Sequence, residues 1–224
     1  MLGIPAYWLR PPERLSAAAG FHRFVWDMHY PPVPGIKPEY PISAVYKNTA
    51  PQPTSPWIIP GPYKVVLTVE GQHYEQPLTV AMDPRVKTPQ ADLQRQFELS
   101  LQVYQELLNL QPVILQAESA QEKLKSMRAG VSQAQAQKID EVIGQLKALL
   151  GGGTGRRRRG QQAENLTGLR SSLLQLLTML QEADVAPTTQ AAEQVPAMHT
   201  KAATAMQRWN EFASAQLKPL NVAP

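Results

Sequence analysis

Residues Pro60–Pro84 read PGPYKVVLTVEGQHYEQPLTVAMDP, and this stretch decides how the first part of the chain folds. Every second residue from Tyr63 to Val69 is apolar, which is the period of a strand with one buried face. Gly71 suits the positive φ of a tight hairpin turn, so the return strand follows at once. Pro77 has no backbone N–H to give to a ladder, which predicts that this return strand is an edge or is bulged. A lone hairpin is marginal in water, so we expect more strands or a helical layer over its apolar face.

Residues 1–87 are predicted to form an Ig-like antiparallel β-sandwich, with fewer than the usual seven or so strands. The segment FHRFVWDM, Phe21–Met28, has the alternation of a further strand, and Trp26 is expected to pack beneath the Tyr63–Val69 strand. Most of the remaining stretch before the hairpin is rich in proline and is expected to be loop.

Residues 88–224 are predicted to form an antiparallel bundle of about four helices, which makes the fold class α+β. Thr88 is the expected N-cap of the first helix, and Pro112 is expected to kink or end it. The second helix is predicted over 132–150 and ends at three glycines. A leucine seam marks the third, and the fourth is predicted over 188–217. Between the second and third, the Gly- and Arg-rich segment 151–162 is predicted to be a flexible loop.

Composition excludes several classes of protein. The chain has no cysteine, so it has neither disulfides nor thiolate metal sites. No apolar run reaches the length of a membrane-spanning helix, and the N-terminus does not have the pattern of a signal peptide. The net charge of +4 owes much to the single run Arg156–Arg159, which argues against a broad nucleic-acid-binding face.

Two groups of residues are candidates for binding. Aromatic side chains form the first group, as a platform for carbohydrate or a partner protein, although aromatics in strands more often belong to a core. This group consists of Trp8, Trp57, Tyr40 and Tyr46. The second group is a run of four arginines that could contact polyanions, with a solvated loop as the competing interpretation. This run consists of Arg156, Arg157, Arg158 and Arg159.

Catalytic residues, metal ligands and cofactor sites are not predicted. Asp27 and His29 lie two residues apart and can touch, but an acid–base or metal site needs a third partner, which the sequence does not supply. The acidic residues of the first helix are predicted to face solvent, and no Glu-x-x-His pair of the diiron type occurs.

Three motifs together resemble a known group of proteins. These are GFHRFVWD at residues 20–27, PGPYKVVLTVEG at residues 60–71 and DPR at residues 83–85. They resemble the C-terminal region of large secreted bacterial proteins with sortilin-like or BNR-type β-propellers, often labelled glycosyl hydrolases.

This resemblance implies a non-catalytic accessory module, located extracellularly or in the periplasm, whose partner is the propeller or another protein chain. It also implies that propeller blades and a first strand pair normally precede this region, so we expect the chain to be the tail of a longer protein. The alternative is a part of a glycoside hydrolase that assists carbohydrate binding, with the catalytic carboxylates in the propeller.

Overall fold

The computed structural model of the protein describes residues 5–11, 14–41, 44–151 and 165–222. Nearly all of the predicted flexible loop lies outside the described residues. The candidate polyanion contact falls in this loop, so all four of its members lie outside the described residues: Arg156, Arg157, Arg158 and Arg159.

Among the residues that the structure describes, four helices form the body of the protein, in agreement with the four predicted helical stretches. Helix α1 packs against each of the other three, and α3 also packs against α4. The chain continues from α4 through a π turn and a short 3-10 turn that ends at Leu220. The helices are α1 (Gln90–Arg128), α2 (Gln133–Leu150), α3 (Leu166–Gln181) and α4 (Thr189–Phe212).

Local signals set the helix ends. Ser132 and Gln135 form a capping box at the start of α2, and the Asn165 side chain accepts from the Gly168 N–H at 2.8 Å at the start of α3. Thr188 caps α4 in the same way. Gly151 ends α2 with a φ of 98°, a left-handed conformation that disfavours any other residue.

The core lies along α1. Its buried residues recur every three or four positions, and several are fully buried. Pro112 lies inside α1 on an exposed position, and the helix continues through it to Arg128. The helix therefore does not end at Pro112; the proline removes one backbone donor on the solvent side, where water can satisfy the freed carbonyl.

The predicted Ig-like sandwich is wrong. In the described ranges, the sheet has two strands only, β1 (Gly61–Val69) and β2 (Gln72–Val80), which pair antiparallel. Phe21–Met28 forms no strand, and His29 makes only an isolated bridge with Trp57.

Helix α1, rather than a second sheet, covers the apolar residues that follow Met28. Tyr30 and Val33 pack into the helical core. The Tyr104 hydroxyl donates to the Pro31 carbonyl at 2.9 Å, and the buried Gln111 amide donates to the Gly35 carbonyl at 3.1 Å. The segment Tyr30–Ile36 thus uses its apolar side chains against α1 rather than in a second sheet layer.

We expect Leu110→Ala to lower the free energy of unfolding by about 2–5 kcal/mol, because Leu110 is fully buried where α1 faces its neighbours. The matched control is Leu115→Ala on the same helix, where 44% of the residue is exposed, and its loss should be clearly smaller. Urea denaturation followed by circular dichroism measures both. Equal losses would contradict the placement of the core.

Candidate interaction surface

The hairpin projects from the helical body with an uncovered apolar face. Val65, Leu67 and Val69 share this face of β1 and are 45–51% exposed, and Tyr74 lies opposite Leu67 on β2 at 59% exposed. Exposed large apolar side chains in one contiguous row are the signature of an interaction site. We call these four residues the hairpin face.

The base of the hairpin is the part that is anchored. The Tyr63 hydroxyl donates to the Ile59 carbonyl at 2.6 Å, and burial raises the pKa of Tyr63. Trp26 meets the Tyr63 ring edge-on at 6.4 Å, so Trp26 contacts β1 near the start of the strand. Trp26 itself is 39% exposed and does not cover the hairpin face.

The turn of the hairpin fixes which backbone groups bond between the two strands and which point outward. Glu70 and Gly71 both have positive φ and form a two-residue turn, so Val69 and Gln72 close the ladder as a hydrogen-bonded pair. Hydrogen-bonded and non-hydrogen-bonded residue pairs alternate along the ladder from there, so Pro77 and Lys64 form a non-hydrogen-bonded pair. A proline can occupy this position because no N–H is needed there for the ladder. The same alternation turns every second N–H of each strand outward, away from the ladder.

The predicted aromatic platform is only partly assembled. Trp8 and Tyr46 meet edge-on at 6.0 Å, because the Leu9–Thr49 bridge joins their segments, and Tyr7 also meets Tyr46 at 6.4 Å. Trp57 and Tyr40 do not join this cluster. Trp57 instead lies against the His29 ring, with the ring centroids 3.7 Å apart and the planes tilted by 37°. Tyr40 is half-buried with no ring contact in the described part of the chain.

His29 is a buried titratable group in the first part of the chain. Its side chain is only 8% exposed, and its Nε2 is buried without a hydrogen-bond partner among the described atoms. Nδ1 lies 3.0 Å from the Asp27 carbonyl and 3.6 Å from the Asp27 carboxylate. Burial lowers the pKa of His29, and the Asp27 carboxylate opposes this shift only in part.

This pair lacks the third group that catalysis or metal binding needs. Among the described residues, no group of three His, Cys, Asp or Glu side chains could hold a metal ion. Near Trp57, a cleft of about 40 Å³ between Ile59, Met82, Leu93 and Phe97 has space for a few waters rather than a sugar.

The carboxylates of α1 are as predicted in part, because Asp92 and Glu106 are half-buried rather than exposed. Glu98 and Glu118 are exposed. Glu106 lies between helices with its side chain 13% exposed, and it meets His199 of α4 at 2.6 Å. The pairing depends on how α1 and α4 pack, so no local pattern in the sequence could have indicated it.

Comparisons of the chain with protein-family models, curated proteins and solved structures found no match. None of the helices in the described ranges has the length and apolarity that a membrane crossing requires.

We expect the free energy of unfolding to fall as the pH drops through and below 6.5, the ordinary pKa of histidine. The folded state holds His29 neutral against Trp57, whereas the unfolded chain binds the proton more tightly, so acid favours unfolding. His29→Phe should flatten this dependence, and His22→Gln, at an exposed position, should leave it unchanged. Denaturation curves between pH 5 and about 8 measure the effect. An NMR titration that places the pKa of His29 above 6.5 in the folded protein would contradict this expectation.

Proposed function

We propose that this chain is a non-catalytic protein-interaction module, with the helical body as platform and the hairpin as the element that receives a partner strand. In line with the sequence resemblance, it serves as the C-terminal accessory part of a secreted propeller protein of the sortilin-like group. That assignment places it outside the cell or in the periplasm.

The observation that carries the proposal is the uncovered hairpin face. A two-stranded hairpin is marginal alone and gains stability when more strands join it. Its apolar row lies beside a strand edge that pairs with no further strand in the described ranges. This combination suits β-strand addition, in which the backbone provides affinity and alternate side chains provide specificity. The partner is therefore an extended strand of a protein that alternates apolar and polar residues.

Carbohydrate binding is the second candidate, and the cluster of Tyr7, Trp8 and Tyr46 is the observation in its favour. Sugars stack on open aromatic faces, but these rings meet edge-on, and Lys47 lies 5.2 Å over the Tyr46 ring. Because the rings present no shared flat surface, we rank this function second.

We expect a labelled peptide of residues 61–71 to bind the protein, as a stand-in for a partner strand. The double variant Val65→Thr/Leu67→Thr should weaken binding by about tenfold or more, because it removes the apolar row on one face. Val66→Thr is the matched control, since Val66 is 49% exposed on the opposite face and should lose much less. Fluorescence anisotropy measures binding, and thermal denaturation checks that the helical body is intact.

Absence of peptide binding to the wild-type chain would overturn the proposal. Robust turnover of glycoside substrates by this chain would favour the glycosidase alternative, and loss of oligosaccharide binding in Tyr46→Ala would favour the carbohydrate function.

A further inference from the structure

The outer edge of β1 is open and uninterrupted. The N–H groups of Lys64, Val66 and Thr68 point away from β2 by the alternation of the ladder, and no other strand pairs with β1 in the described ranges. The only proline of this edge is Pro62, at the entrance of the strand. On β2, by contrast, Pro77 interrupts the outward row in the middle.

Natural proteins protect exposed sheet edges with prolines, charges or short strands. The edge of β2 has Pro77 in the middle of its outward row, so it is protected. The edge of β1 has only Lys64 as a charge, and Glu75 already neutralises it at 2.7 Å. The hairpin therefore has one protected edge and one edge that can pair.

The sequence of β1 is complementary to itself when it is read in the opposite direction. With Leu67 opposite its own copy, Val65 meets Val69 of the other strand, and Lys64 comes beside Glu70, the first turn residue of that copy. A shift by two residues in one direction places Lys64 opposite Thr68, and a larger shift places it opposite another Lys64. Only the register centred on Leu67 matches the charges and keeps the valines paired.

We propose that the partner strand is β1 of a second copy of this chain, paired antiparallel about Leu67 in a two-fold dimer. This inference rests on the proposed function, because it names the partner of the same hairpin. A two-fold interface uses the same patch on both copies, as this register requires.

The pairing joins two hairpins into one four-stranded sheet. Val66 and Thr68 form the new hydrogen-bonded pairs, while Leu67–Leu67 and Val65–Val69 fall at non-bonded positions, where opposite side chains are closest. The hairpin faces of both copies then form one continuous apolar surface whose residues shield one another. Three or more strands with an apolar face can be stable in water, whereas a single hairpin is only marginally stable.

Val66→Pro is the variant that tests the pairing directly. Its N–H points outward, so the hairpin can keep its own ladder, as it does at Pro62 and Pro77, while the dimer loses the bonds that Val66 donates. We expect sedimentation velocity to show a monomer–dimer equilibrium for the wild type and a dissociation constant at least about tenfold higher for Val66→Pro. Thr79→Pro, outward on β2, is the matched control and should leave the dimer unchanged.

Charge reversal tests the register. Glu70→Lys should weaken the dimer by about fivefold or less, because two lysine side chains would then face each other at an exposed position. Adding Lys64→Glu to this variant should restore the dimer, since opposite charges face each other again. No restoration would overturn the register centred on Leu67. NMR spectra of each variant confirm that the hairpin is still formed.

A wild-type chain that stays monomeric up to its solubility limit, or a dimer that survives Val66→Pro, would overturn the self-pairing. If such a monomer still binds the peptide of residues 61–71, the proposed function stands and the partner is another protein. If the monomer does not bind the peptide, both proposals fall.

Discussion

The burial of α1 against three other helices is the interaction on which the rest of the structure depends. This helix of 39 residues provides one wall of the core over nearly its whole length. It also contacts the first part of the chain through the side chains of Tyr104 and the buried Gln111. The side-chain amide oxygen of Gln111 accepts from Arg170 of α3 at 3.3 Å. A single helix thus holds together the other helices and the extended segment that precedes the hairpin.

The helices were predictable because their signals are local. Apolar spacing and the terminal glycines act within a few residues, and they indicated the bounds of α2 nearly to the residue. The predicted N-cap Thr88 was wrong, because α1 begins after Pro89 without a side-chain cap. Pro112 shows the limit of such signals. A proline removes one backbone hydrogen bond from a helix, and here α1 continues through it because packing against the other helices holds the rest of α1.

The hairpin was predictable for the same reason, but its surroundings were not. A period of two shows which residues of β1 share a face, and nothing in the period shows what covers that face. The contacts of Trp57 with His29 and of Trp8 with Tyr46 join segments that are distant in the sequence. The spacing of the aromatic residues along the chain could therefore not show that they lie in separate clusters. The predicted fold class was wrong because the segment that follows Met28 packs on α1 instead of adding strands to the sheet.

The position of Pro77 has a consequence for how far association can proceed. When two hairpins join through β1, both outer strands of the combined sheet are β2, and each presents the edge that Pro77 interrupts. A third hairpin then finds no continuous row of donors and acceptors to continue the ladder. One proline in the return strand thereby sets a fixed stoichiometry and keeps a sheet with exposed valines from growing into a fibre.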